Sequence, residues 1–207
     1  MTRTRLDTAA VVAAAAKLAD ADGLQALTLA RLAAVLGIRS PSLYGHVEGL
    51  EDLRRRLGAR GARELAAQLS RAAAGRAGSD ALGAVAHAYL AYAREHPGSY
   101  AAAQRARELQ GNDEAVAAAT EVTDVVLAVL RGYDLHDADA IHAARAIRVA
   151  LHGFVSLEAD DGFAIELPLD ETFEWLVAML DRGLRACGHS CRAPSAQRPD
   201  GSSSSRR

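Results

Sequence analysis

Residues 27–53 read LTLARLAAVLGIRSPSLYGHVEGLEDL, and the spacing inside this stretch decides how the rest of the chain is read. Thr28 stands where a hydroxyl can accept from the free N–H groups of a helix start. Gly37 stands where a helix ends in the left-handed region, so a short helix is predicted through Leu36. Ser40 offers a second cap, with Pro41 at the first helical position, where a missing N–H does no harm; Gly49 closes this third segment. Leu29, Leu32, Leu36, Ile38, Leu43 and Val47 supply a small core, and Ala30, Ala33 and Ala34 are small enough for close helix approach. Leu43 and Val47 are four residues apart and share one face. Ser42, Tyr44, Gly45 and His46 are left on the remaining surface.

Upstream, residues 6–21 have apolar residues at 11, 12, 15, 18 and 19, close to a 3.6-residue period, and Gly23 stops that helix. Three short helices joined by tight turns result. A helix start carrying Arg39, Ser40, Ser42, Tyr44 and His46 suits DNA: its N–H groups and hydroxyls can bind phosphate, and its first turn can enter the major groove. Charge agrees. Residues 1–63 hold 10 Lys/Arg against 6 Asp/Glu, residues 64–181 hold 8 against 19, and residues 182–207 hold 6 against 1, for a net −2. A mildly basic N-terminal third on an acidic body directs a polyanion to the N-terminus. No carboxylate or nucleophile stands near His46 in sequence to make it catalytic, and no catalytic constellation appears elsewhere, so neither an enzyme nor a cofactor is expected.

Almost everything else also reads as helix. An arginine-rich helix is predicted from Leu50 to about Leu69, a linker over 72–79, and helices over 80–95, 99–109, 113–131, 137–159 and 170–185, broken at Gly, Pro and Asp-rich turns. No strand pattern and no fixed-period repeat is found. No stretch reaches the eighteen or so apolar residues of a membrane span, no signal peptide is seen, and Cys187 and Cys191 sit in a polar tail, so a cytoplasmic protein without a membrane partner is expected. Cys187, His189 and Cys191 lack the folded frame and fourth ligand of structural zinc, so no metal site is expected. The tail, 186–207, is too polar and too low in complexity to pack.

The pattern Thr28-Leu29-x-x-Leu32-Ala33-x-x-Leu36-Gly37-Ile38-x-x-x-x-Leu43-Tyr44-x-His46-Val47 resembles the DNA-binding domain of the TetR family of bacterial repressors over residues 6–58. The resemblance implies that Thr28, Tyr44 and His46 touch backbone phosphates and that Arg39, Ser40 and Ser42 approach base edges. Two positions depart from the family pattern. Val47 replaces the usual Phe, and Leu50 replaces the Lys that usually starts the following helix and reaches a phosphate, leaving Arg54 or Arg55 to compensate. Gly45 puts no side chain into the groove.

In the body, Ala150-Leu151-His152-Gly153-Phe154-x-x-Leu157-Glu158 resembles the Trp-His-Gly type of TetR C-terminal domain, although that motif's Trp, expected near Arg148, is absent. The implied architecture is all-α: an N-terminal three-helix helix–turn–helix domain (1–58), a helical ligand-binding and dimerisation bundle (59–185) and a disordered basic tail (186–207). The implied partners are a double-stranded palindromic DNA operator, a small apolar or aromatic effector, and a second copy of the chain. Dimerisation is expected through helices 137–159 and 170–185, whose apolar faces carry Ile141, Ala144, Leu151 and Val155, and Phe173, Leu176, Val177, Leu180 and Leu184; part of each belongs to the monomer's own core. Tyr89, Tyr92, Tyr100, His142, His152 and Trp175 are the candidate pocket residues, while His87 and His96 read as solvated. The expected function is a ligand-responsive homodimeric repressor, with an activator as the open variant. The rivals are a ligand-independent DNA-binding dimer and a non-DNA small-molecule-binding helical protein.

Overall fold

One helix serves two cores. In the computed structural model, which describes residues 6–106 and 113–190, α3 spans Leu50–Ala73. Its Leu53 and Leu57 pack with Val11, Ala15, Leu32 and Leu43 of the N-terminal unit, and its Leu65 and Leu69 pack with Leu82, Val85, Leu130 and Phe154 of the body. The expected boundary at residue 58 therefore falls inside a continuous helix. Around it lie α1 (Thr8–Asp22), α2 (Leu29–Leu36), a 3-10 segment (Ser40–Gly45), α4 (Gly78–Glu95), α5 (Pro97–Ala106), α6 (Asp113–Leu130), α7 (Asp137–Ala159) and α8 (Leu169–Ser190). No strand occurs among the described residues, and the fold is all-α.

Local chemistry explains most of the boundaries. Asp7 caps α1, its Oδ1 accepting from the Ala10 N–H at 2.7 Å, and Thr28 caps α2, its Oγ1 accepting from the Arg31 N–H at 3.2 Å. Gly37 ends α2 at φ 65°, in the left-handed region, with its N–H bonded back to Ala34 and the N–H of Ile38 bonded to Ala33. Ser40 does not cap the third segment: Arg39 holds the capping position without a side-chain bond, and the segment is 3-10 rather than α, too short to gain from α-type ladders.

Small residues bring α3 close to its neighbours. Gly58, Ala59, Gly61, Ala62 and Ala66 are all buried, and a Cβ on Gly61 would stand 2.6 Å from the carbonyl oxygen of Ser99 on α5. Two helices run further than expected. α3 continues past Leu69 to Ala73, and α8 continues past Arg185 to Ser190. The extra turn of α8 is held by packing: Gly188 sits directly on the Tyr133 carbonyl, where any Cβ would collide. Residues 186–190 thus belong to the bundle, and residues 191–207, with Cys191, lie outside the described residues. Among the described residues no helix is long and apolar enough to cross a membrane.

His87 is engaged rather than solvated. Its Nδ1 lies 2.7 Å from the Gly83 carbonyl and its Nε2 lies 2.6 Å from Glu174, joining α4 to α8. Only the imidazolium can donate through both nitrogens. Burial by itself would lower the imidazole pKa, but the Gly83 carbonyl and the Glu174 carboxylate outweigh it and hold it above 6.5. The linked stability is therefore complete below 6.5 and is lost as pH rises through the raised folded value. Both side chains are at least half exposed, so the effect stays below about 1 kcal/mol. The melting temperature of the parent should exceed that of His87→Ala by more in mildly acidic buffer than in alkaline buffer; a difference independent of pH would show that the pair carries no charge-linked stability.

Candidate functional site

The N-terminal surface is built by two anchors. Leu43 is 0 % exposed and Val47 2 %, and both fill the core beside Leu32 and Leu53. The N–H groups of His46 and Val47 both bond to the Leu43 carbonyl, at 2.9 and 3.0 Å, and the His46 carbonyl accepts from Thr8 Oγ1 of α1 at 3.3 Å. These bonds set the 3-10 segment rigidly against α1. The side chains between the anchors then have nowhere to go but outward. Tyr44 is 62 % exposed, Arg39 and Ser42 are exposed, and Ser40 and His46 are half-buried. Thr28 is exposed at the start of α2; its oxygen accepts from the Arg31 N–H while its own proton stays available to a phosphate oxygen.

Charge is distributed unevenly over this unit. Arg31 pairs with Asp22 at 2.7 Å, Arg54 with Glu51 at 2.7 Å, and Arg55 and Arg56 with Asp52 at 3.2 and 3.0 Å. Arg39 makes no ion pair among the described residues and keeps its guanidinium for an external acceptor. Arg54 and Arg55, the two candidates to replace the missing lysine, are both committed to carboxylates of their own helix, and Leu50 packs against the N-terminal core.

The body encloses a cavity of about 490 Å³ between α3, α4, α5, α6 and α7. Leu65, Val85, Val126 and Leu151 form its apolar walls, and Gln104, Arg145 and Arg148 stand on its polar side. A hydrogen-bonded chain runs along that side. Arg148 Nη2 donates to Gln104 Oε1 at 3.2 Å, Gln104 Nε2 donates to the Tyr89 hydroxyl at 3.4 Å, the Tyr89 and Tyr100 hydroxyls are 2.9 Å apart, and Tyr100 Oη lies 2.6 Å from His152 Nδ1. Burial, and then the charge of Arg148, hold the His152 imidazole below its ordinary pKa. Burial, and then the neighbouring Tyr89, push the Tyr100 hydroxyl above its own.

Of the six residues expected in a pocket, the structure brings Tyr89, Tyr100 and His152 together and leaves three elsewhere. Tyr92 is buried on the far side, its hydroxyl 3.4 Å from Glu64, beside a separate cleft that also holds His96 and Asp20. His142 is exposed on α7. Trp175 is 68 % exposed on α8, with the Arg182 guanidinium 5.8 Å from its ring centroid. Part of the faces expected for dimerisation belongs to the monomer, as expected. Ile141, Ala144 and Leu151 line the cavity, and Val155, Phe173, Val177 and Leu184 belong to the monomer's core. Besides Ile141, half exposed at the cavity, the large apolar residues that α7 and α8 leave outside are Val149, Leu157, Trp175 and Met179, flanking a groove of about 610 Å³. Sequence reasoning missed Gln104, Arg145 and Arg148 at the cavity; the signal was two arginines three apart within an otherwise apolar stripe of α7.

A capped helix, a left-handed glycine turn and a second short segment with outward hydroxyls and a free arginine define a helix–turn–helix DNA-binding unit carried on a helical body. Comparison with known proteins agrees. Residues 82–180 match the family model described as the tetracyclin repressor-like C-terminal domain. The chain is 40 % identical over 181 residues to the HTH-type transcriptional regulator Rv0681 of Mycobacterium tuberculosis, covering 87 % of this chain and 82 % of that protein. It is 35 % identical over 179 residues to the HTH-type transcriptional regulator YobS of Bacillus subtilis, covering 84 % and 90 %. Among solved structures, a Rhodococcus protein of unknown function superposes with a TM-score of 0.76 at 24 % identity, covering 88 % of this chain and 97 % of that one. A possible TetR family regulator from Streptomyces coelicolor superposes at 0.67 and 20 % identity, covering 87 % and 100 %. The chain belongs to the TetR family, and it is a DNA-binding transcriptional regulator.

Proposed function

We propose that the protein is a homodimeric repressor that leaves a palindromic operator when a small, largely apolar molecule occupies the body cavity. The observation that carries the DNA side is the pairing of Leu43 and Val47, both buried, with an unpaired Arg39 and an exposed Tyr44 on the opposite surface. Thr28, Tyr44 and His46 are assigned to phosphates, and Arg39, Ser40 and Ser42 to base edges. Two such units on a two-fold axis read half-sites one helical turn apart, roughly 34–36 Å. The second copy is assigned to the outer groove of α7 and α8, where Trp175 and Val149 are exposed and contiguous with Leu157 and Met179. A ligand in the cavity touches α3 at Leu65 and Leu69, and α3 carries Leu53 and Leu57 in the N-terminal core, so a shift of this helix moves the recognition segments. Release requires the ligand to bind the DNA-incompetent arrangement more tightly; equal affinity would shift nothing.

The test is fluorescence anisotropy on the DNA upstream of the protein's own gene, across a salt series, with the parent and the Arg39→Ala and Tyr44→Ala variants. Tight, salt-dependent binding is expected in the parent. Arg39→Ala should cost about 1–3 kcal/mol and relax the sequence preference, whereas Tyr44→Ala should weaken binding to all sequences alike. Parent affinity no better than for random DNA, on this fragment and on those recovered by genome-wide selection, would reject the assignment of this surface.

A further inference from the structure

We infer that the molecule taken by the body cavity is an apolar monoanion, a hydrocarbon or aromatic skeleton ending in a carboxylate, rather than a neutral or cationic compound. The inference rests on the cavity being the effector site proposed above and narrows what that site accepts.

Three observations carry it. The walls are aliphatic over most of their area, with Leu65, Val85, Val126 and Leu151 contributed by four different helices, so an apolar skeleton is what the interior fits. The polar edge, in contrast, is rich in donors. Arg145 and Arg148 stand three residues apart on α7 and project to the same side, and neither has an ion-pair partner within 4.0 Å among the described residues. Asp124 of α6 also lines the cavity, and it pairs with neither arginine. Third, the groups behind this edge already satisfy each other. Gln104 spends its carbonyl on Arg148 and its amide on Tyr89, and the tyrosine pair runs on to His152.

What the edge still lacks is an acceptor. Among the described residues Arg148 uses one of its five N–H donors, on Gln104, and Arg145 makes no side-chain hydrogen bond. A carboxylate at this edge would take charge-assisted bonds from both guanidinium groups while its skeleton fills the aliphatic interior. An ammonium group would meet two like charges against the single carboxylate of Asp124, and a hydroxyl would offer the two guanidinium groups no counter-charge. Two cations against one carboxylate, Asp124, beside a largely aliphatic interior select for the sign of the ligand's charge.

The experiment uses the full chain and matched probes. Isothermal titration calorimetry measures decanoate against 1-decanol and decylammonium, and 2-naphthoate against 2-naphthol, all below their aggregation concentrations. The parent should bind the carboxylate of at least one pair roughly tenfold or more tighter than its neutral partner, the difference expected of charge-assisted bonds. The Arg145→Gln/Arg148→Gln variant should bring that carboxylate down to the level of its neutral partner and leave the neutral partner unchanged; circular dichroism checks that its helices are intact. Neutral or cationic probes binding as tightly as the carboxylates would overturn the inference and leave the cavity as an effector site. A carboxylate preference that survives in the double variant would overturn it too, because the arginines would not be its source. Binding of none of the five probes up to their solubility limits would remove the cavity as an apolar receptor, and with it both readings.

Discussion

Replacing Gly98 by alanine is expected to destabilise the protein by about 3 kcal/mol, near the upper end of what overpacking costs. Gly98 lies in the first turn of α5 and faces the Ala19 backbone of α1. An added Cβ would collide with the carbonyl carbon and oxygen of Ala19 and stand 2.7 Å from its Cβ. None of these atoms can swing away. The Ala19 carbonyl already accepts the Gly23 N–H at 2.8 Å, closing α1, and Ala19 is 0 % exposed. The same contact carries a cross-helix cap: Asp20 of α1 accepts from the Ser99 N–H at 2.7 Å and from its hydroxyl at 3.2 Å, with His96 Nδ1 at 3.4 Å. Thus α1, whose residues belong to the DNA-binding core, holds the start of α5, which carries Gln104 at the cavity and Tyr100 hydrogen-bonded to the cavity's Tyr89. Forcing the two apart should weaken operator binding as well as the fold. Gly83 is the control: no atom lies within 4 Å of its added Cβ, so Gly83→Ala should be stabilising by up to about 1 kcal/mol. Urea melts of both variants decide the matter, and a Gly98→Ala midpoint equal to the parent's would reject the packing argument.

Leu43→Ala is the second large effect, again about 3 kcal/mol, within the usual range for a buried leucine that cannot be replaced by local collapse. Its side chain is fully buried, and its carbonyl takes the N–H groups of both His46 and Val47. The 3-10 segment has few bonds of its own, so its shape depends on this one plug. Operator affinity should fall below detection in anisotropy titrations, and the N-terminal unit should lose protection in hydrogen exchange before the body does. Tyr44→Ala separates contact from support. Tyr44 is largely exposed, so its removal should leave the melting temperature within about 1 °C while lowering DNA affinity. Equal stability of Leu43→Ala and Tyr44→Ala would show that the plug does not hold the segment.

The N-terminal unit was legible because its signals are local. Thr28 caps a helix through the N–H three residues on, Gly37 ends the same helix by bonding back to the carbonyls of Ala33 and Ala34, and Leu43 and Val47 share a face four residues apart. Each of these relations lies within a single turn, so residue type and spacing suffice to predict it. The 3-10 character of the third segment was not legible, because Ser40 and Pro41 are compatible with either kind of start and only packing against α1 selects one.

The amino-acid sequence by itself determined an all-helical chain, the turn that presents Arg39 and Tyr44, and the family whose pattern this is. Tertiary structure decided what the body's helices do with their several apolar faces. On α7 the stripe with Ile147, Leu151 and Phe154 turned inward, and Val149 and Leu157 were left outside; on α8 Phe173 went in and Trp175 stayed out. Helices apolar on more than one side carry no internal mark of which side meets a neighbour. Tertiary structure also made the pairs that give the molecule its connections: Asp20 with Ser99 across 79 residues, and Tyr100 with His152 across 52. Such contacts depend on where distant helices come to rest, and that is set by the packing of the whole core.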